Sequence, residues 1–325
     1  MMIQLIAIQM RWSPQDGSSP GAFIARMDGL MARAAERLDP RKPALVAFPE
    51  DVGLLAALAV LPPGLRNQPT MAKAMAFALR QQFLPALYHR LRYRVSWARA
   101  LLLAIQPRLV PLYLSAFSTL ARKYRVVLVA GSAPLAALPH ASGSRLEALR
   151  PRGPAVYNTA ALFGPDGSLI GLQRKVARID LEGPQGLDLS PGSLEDIQVF
   201  PTEVGRVGIA ICLDAFAPES PVRERLAPPG GGDPGPALRQ PGALDAGAAG
   251  GLASRGLGGN GSGGMFRLCG QSHDDGRPLR SGLLRTIRPH RPAMRIGRPG
   301  IRVTGISARC PASSPSPKGT IRKRS

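Results

Sequence analysis

Three side chains in this 325-residue chain stand where a strand-like apolar run ends, the position at which layered α/β architectures place reactive groups. In ALVAFPED, Glu50 follows the run and a proline. In GLQRKVARIDLEGPQG, Lys175 lies just past a run, with Glu182 seven residues on. In VGRVGIAICLDAF, Cys212 closes a run of buried type. A cysteine becomes a useful nucleophile only where a base takes its proton or positive charge favours the thiolate, and Glu50 is the right type for that base. A lysine beside the pair can stabilise a developing oxyanion, because a fixed cation acts more strongly where water is excluded. Taken singly, each has a plainer reading: Cys212 as a small core hydrophobe, Glu50 as a solvated strand end, Lys175 as a surface charge.

The elements that must position these groups are legible over residues 1–220. Short β-rich runs at 3–9, 44–48, 126–130, 155–163, 168–173 and 207–212 alternate with helical patterns, which predicts an α/β or α+β layered domain. SSPGAFIARMDGLMARAAERL carries Phe23, Met27, Leu30, Met31 and Ala34 at helical spacing behind a Ser/Pro start, so it reads as an amphipathic helix. GPDG at 164–167 places a hairpin between the fourth and fifth runs. Residues 53–124 are rich in Ala, Leu, Arg and aromatics and read as an insertion of two to four helices. Within it, YHRLRYRVSWARALLLAIQPRLVPLYLSAF mixes basic and aromatic residues, as membrane-surface and nucleic-acid helices do. A solvated basic face on helices packed by Leu and Ala is the favoured reading of that segment, and membrane contact is disfavoured.

Together and in order, these elements resemble the nitrilase, or carbon-nitrogen hydrolase, superfamily: MIQLIAIQM as first strand, LVAFPED, VVLVAGS, VYNTAALFGPDGSLIGLQRK and VGRVGIAICLDAF. The resemblance implies an α/β fold, a four-layer αββα sandwich, and a Glu-Lys-Cys triad that hydrolyses nonpeptide C–N bonds in amides, carbamoyl compounds and nitriles without a cofactor. It assigns Glu50 as general base, Lys175 as oxyanion stabiliser and Cys212 as nucleophile, with Glu182 at the place of a second glutamate that orients substrate and water. The family's usual Lys-x-His-Leu is here KVAR, 175–178, and the spacing from Glu50 to Lys175 is long, the surplus falling in the helical insertion, which is read as a lid in preference to a partner contact. An N-acyltransferase would use the same triad. The partners implied are a small amide or nitrile substrate and, where the C-terminus is intact, a second copy of the chain.

Composition divides the chain in two. Residues 1–220 hold 24 Lys+Arg against 16 Asp+Glu, whereas 221–325 hold 18 against 5 and 34 of the 70 Gly and Pro, a level typical of low-complexity sequence. At face value the tail is a basic nucleic-acid- or membrane-binding segment on a sandwich left incomplete after residue 220, or the mark of an inactive product. Codon degeneracy offers another reading. Codons for GDPGPALRQPGALDAGAAGGL, 232–252, can be chosen to give EILVQPSANPGPWTPEQQEDW one base later, and the same offset turns GQSHDDGRPLRSGLLR, 270–285, into VNPMMTGDLFGLAFFE. Both are ordinary α/β sequence, so the tail reads as a frameshift between about Ala217 and Gly232, its basic charge says nothing about partners, and no nucleic acid is expected. Three cysteines without a CxxC pair and four histidines exclude a zinc cluster of usual spacing and a disulfide framework, which makes a cytoplasmic setting the default and leaves no metal implied. MMIQLIAIQMRW has no basic start and reads as a strand, not a signal peptide.

Overall fold

The computed structural model describes residues 2–68, 70–139, 146, 149–216, 220–226, 238–239, 265–269 and 301–308, the last three segments as backbone only. Three strands come late in the chain, β8 (Leu238–Arg239), β9 (Met265–Cys269) and β10 (Ile301–Ala308), and the first sheet runs in the order β10-β1-β2-β3-β4-β5. Here β1 (Ile3–Met10), β2 (Ala44–Ala47) and β3 (Val127–Ala136) are mutually parallel, and β4 (Val156–Phe163) and β5 (Leu169–Arg174) continue antiparallel from β3. The second sheet has the order β6-β7-β9-β8, with β6 (Val199–Thr202) antiparallel to β7 (Gly205–Ile209).

The continuous apolar runs form strands because both faces of the first sheet are covered. Val46, Leu128, Ala161 and Phe163 point to the helices α1 (Pro20–Ala35), α2 (Val52–Ala59) and α5 (Trp97–Tyr124). Leu45, Ala47, Val127, Val129, Ala160 and Leu162 point the other way, onto Phe200, Val207 and Ile209 of the second sheet. The two sheets touch closely at Gly171, where any side chain would strike the Phe200 ring. On the outer face of the second sheet Leu226, just past α7 (Pro221–Arg225), lies over Gly208. The layers are thus helix, sheet, sheet, helix, the αββα arrangement. The outermost layer is thin: among the described residues only α6 (Leu213–Phe216) and α7 follow the second sheet's β7 as helices.

Helix α1 starts where expected, with Ser19 Oγ accepting from the Ala22 N–H, Pro20 in the first turn and Phe23, Met27, Leu30, Met31 and Ala34 all buried. Elsewhere the pattern needs correction. The third strand reaches Ala136 because a bulge between Val129 and Ser132 carries it past Gly131 and through Pro134. The run at 207–212 leaves the sheet at Ile209, and β6, whose Pro201 suits an edge strand, was not expected at all. Residues 53–124 do form four helices, yet they are not one insertion. α2 and α5 are the layer packed on the first sheet, whereas α3 (Met71–Gln81) and α4 (Phe83–Tyr93) stand outside and pack on α5.

In the tail the structure describes β8 (Leu238–Arg239), β9 (Met265–Cys269) and β10 (Ile301–Ala308). The sequence reading assigned no strand there. β10 pairs antiparallel along the whole of β1, and β9 pairs parallel with β7, so each supplies hydrogen bonds to a strand that otherwise would be an open edge. The Ile, Val and Thr content of IRVTGISA suits that role without any sustained period. The rest of the tail reading, the two offset-frame segments included, falls outside the described residues apart from these strands and the stretch 221–226 that holds α7.

Candidate active site

Glu50 sits in the turn from β2 to α2. That turn is fixed by β3: Gly131 has φ +70, and a side chain there would strike the Pro49 carbonyl. Ser132 Oγ accepts a hydrogen bond from the Asp51 N–H (2.9 Å), and Asp51 adopts a left-handed conformation, φ 59. VAGS and FPED are therefore two halves of one device that aims Glu50 into the molecule. Lys175 follows β5 and is anchored by its N–H on the Asn158 carbonyl of β4 (2.8 Å). Cys212 lies three residues past β7 at φ 49, a strained setting for a non-glycine residue costing on the order of 1–3 kcal/mol, and its carbonyl accepts from Ala215 and Phe216 as α6 begins.

The structure brings all four sequence-derived residues together, each 5 % exposed or less. Lys175 Nζ donates to Glu50 Oε1 (2.8 Å) and to Glu182 Oε2 (2.8 Å), and the Cys212 thiol lies close enough to Glu50 to draw its carboxyl down. Glu182 is held in a single 3-10 turn, Asp180–Glu182, by the Ile179 N–H on its carboxylate (2.9 Å). One cation thus faces two buried carboxylates and a thiol. Burial pushes the Glu50 carboxyl up, Lys175 pulls it back, and the Glu182 charge adds to the rise. Burial alone would lower the Lys175 ammonium, but Glu50, Cys212 and Glu182 outweigh it and keep the lysine firmly charged.

Three neighbours escaped the sequence reading. Asn158 Nδ2 donates to both Glu50 Oε1 (3.0 Å) and Glu182 Oε1 (2.8 Å), bridging the same two carboxylates as the ammonium, while its Oδ1 has no partner among the described residues. Its signal was a lone buried amide in an otherwise apolar strand, where Asn is disfavoured. Asp214 accepts from the Val176 and Ala177 N–H groups (3.1 and 2.7 Å), tying the segment after Lys175 to the segment after Cys212. Burial pushes its carboxyl up to about 6 despite those two donors. Because the link runs through backbone N–H groups, alanine at 177 serves it as well as histidine would. Asp51 keeps part of its surface in solvent, yet its carboxyl is enclosed, and burial beside Glu50 and Glu182 raises it to about 8.

The loop after Glu182 is tied to the helical layer: Arg99 pairs with Asp188 (2.8 Å), and Ser96 Oγ donates to the same carboxylate (2.6 Å). Among the described residues no group of three or more His, Cys, Asp or Glu side chains is arranged to hold a metal ion.

The carbon-nitrogen hydrolase family model matches residues 8–228, about two thirds of the chain, and this protein belongs to that family. Omega-amidase NIT3 of Saccharomyces cerevisiae is 34% identical over 108 residues, 31% of this chain and 32% of that protein. Human omega-amidase NIT2 is 40% identical over 65 residues, 18% of this chain and 23% of that protein. The match thus spans about a third or less of the length of these curated relatives. Among solved structures, a carbon-nitrogen hydrolase from Helicobacter pylori G27 aligns with TM-score 0.38 at 20% identity, covering 67% of this chain and 54% of that one. A cysteine-to-alanine mutant of the amidase from Nesterenkonia sp. AN1 in complex with butyramide aligns with TM-score 0.39 at 17% identity, covering 65% of this chain and 56% of that one.

Proposed function

We propose that this protein is a hydrolase of small nonpeptide amides acting through a cysteine acyl-enzyme. The observation that carries the reading is the Lys175 ammonium held between Glu50 and Glu182 with the Cys212 thiol beside Glu50, all out of water. Glu50, whose raised pKa makes it a better base than a solvated carboxylate, takes the thiol proton as the sulfur attacks the amide carbon. Charge develops on the carbonyl oxygen, and Lys175 with a backbone N–H steadies it. As the tetrahedral species collapses, the proton held by Glu50 passes to the departing ammonia or amine, leaving a thioester on Cys212. Water then attacks the thioester with Glu50 again as base, and Glu182 with Asn158 keeps Glu50 aimed through both halves. Amides are favoured over nitriles and carbamoyl compounds because the curated relatives are omega-amidases.

The reading includes the C-terminal third as an out-of-frame product of the gene, in a protein of the cytoplasm. The support for the out-of-frame reading is the two offset-frame segments, 232–252 and 270–285. The test is ammonia release from a series of short ω-amides, with mass spectrometry of Cys212, on the chain as it stands and on one recoded one base later from about Gly232. Amide-dependent ammonia release with an acyl adduct on Cys212 in either form supports the assignment. Release that survives in Cys212→Ala, or absence of any release or adduct in both forms, rejects it.

A further inference from the structure

Helix α4 exposes what a soluble surface ordinarily hides. Leu84 is 75 % exposed, Leu91 70 % and Tyr88 60 %, and their i, i+4, i+7 spacing puts them in one stripe along the helix. The helix packs on the rest of the molecule through its other side, with Ala86 buried against Ala100 and Ala104 of α5. Beside the stripe, the exposed Phe83 ring stacks on Trp97 (6.2 Å, 24°), and the Arg90 guanidinium covers Trp97 at 4.8 Å. Arg92, Arg94, Arg80 and Lys73 are exposed around this patch.

The charge is one-sided over a long stretch. Residues 52–146 contain twelve Lys and Arg and not one Asp or Glu. We propose that α4 is an interfacial helix that docks this protein onto an anionic lipid bilayer, with Leu84, Tyr88 and Leu91 in the acyl boundary and the surrounding arginines on the headgroups. The alternatives fit worse. A second copy would bring an all-cationic surface against itself. The chain's own tail, with 18 basic residues against 5 acidic, is repelled in the same way. A nucleic acid would satisfy the arginines and leave two leucines in water. α5 meets the length and composition of a membrane span, but 72% of that window is buried in the protein, so the contact lies on the surface helix and not through a spanning one.

The protein has two tryptophans, Trp12 and Trp97, so Trp12→Phe leaves a single reporter at the patch whatever the basic tail does. In the full chain with that change, vesicles of phosphatidylcholine and phosphatidylglycerol should shift Trp97 emission to the blue, brominated acyl chains should quench it, and added salt should weaken both effects. Pure phosphatidylcholine vesicles should give much less. Adding Leu84→Gln with Leu91→Gln, which leaves the charge unchanged, should weaken partition roughly tenfold or more by removing two buried leucines. No shift or quenching at Trp97 on anionic vesicles overturns the proposal, as does vesicle binding that the double substitution leaves intact. A concentration-dependent dimer, or RNA binding, abolished by the same double substitution also overturns it, in favour of a second copy or a nucleic acid.

Discussion

The two sheets carry unequal parts of one site. Among the described residues the first has five of its six strands from residues 3–174, is covered on both faces and supplies Glu50 and Lys175 from just past β2 and β5 and Asn158 from within β4. The second has four strands, only β6 and β7 of them from the first 220 residues, and it supplies Cys212. Among the described residues, the charged half of the site is therefore built on a core covered by three helices of eight residues or more, and the nucleophile on one covered by the two short helices α6 and α7. Asp214 is the bolt between them, since it follows Cys212 in the chain but holds the N–H groups after Lys175. The difference teaches that the ion cluster can be intact in a chain whose nucleophile is poorly held.

The largest effect lies on the second sheet. Cys212→Ala should lower kcat by roughly 10⁴-fold or more while costing under about 1.5 kcal/mol of stability, as read by steady-state ammonia release and thermal melting. Activity close to the parent's would break the division between the sheets, because the nucleophile would then lie elsewhere. The same sheet should respond to recoding residues from about Gly232 onward one base later: soluble yield and amide hydrolysis should both rise. A gene whose offset frame carries stop codons there would remove the basis of that expectation.

Next comes the charged half. Lys175→Ala should lower kcat by roughly a hundredfold or more, since the ammonium's contact is strongest in the transition state. It should also destabilise the protein by about 3–5 kcal/mol, because it leaves Glu50 and Glu182 buried without their counter-ion. Glu50→Gln should remove thiol and water activation together with a smaller loss in stability. A kcat loss in Lys175→Ala without a lowered melting temperature would mean that the cluster is less buried than its geometry requires.

How much of this was written in the sequence follows the same division. The strand-end contexts of Glu50, Lys175 and Cys212 are local, so they could be read as such, and Glu182 came from the family resemblance alone. Asn158 could not, since only the pairing of β4 with its neighbours brings that amide between two carboxylates. Asp214 acts on backbone N–H groups that any sequence provides. The partition of 53–124 into two core helices and two outer ones was hidden because amphipathic spacing reports an apolar face, not whether a sheet or another helix covers it. β6 was hidden by Pro201, and the strand pairing of β10 by the absence of any period around it.

A cavity sharpens the comparison at smaller cost. Leu226 is fully buried over Gly208 on the outer face of the second sheet, and Leu162 is fully buried between the sheets. Leu226→Ala and Leu162→Ala should each cost about 2–5 kcal/mol. Only the first should speed alkylation of Cys212 in the native state, as local opening of the thin layer exposes the thiol. Equal acceleration in both variants would mean that the two sheets open together.

The smallest effect is a pH limb. Asp51, raised to about 8, is neutral in the working site and ionises above that pH, adding a third carboxylate beside Glu50 and Glu182 with Lys175 as the one cation among them. That charge opposes both the thiolate and the oxyanion, so kcat/KM should fall a few-fold as pH rises through about 8. In Asp51→Asn the alkaline limb should vanish. Stability carries the same sign. The folded state holds this proton more tightly than the unfolded chain, where the group's value is 3.8, so the wild type should lose stability as pH climbs from about 4 to about 8 and stay level above. The asparagine variant lacks that slope and should gain on the wild type across the same window, which thermal melts at a series of pH values will read. An alkaline limb that persists in Asp51→Asn would assign it instead to another group of the cluster.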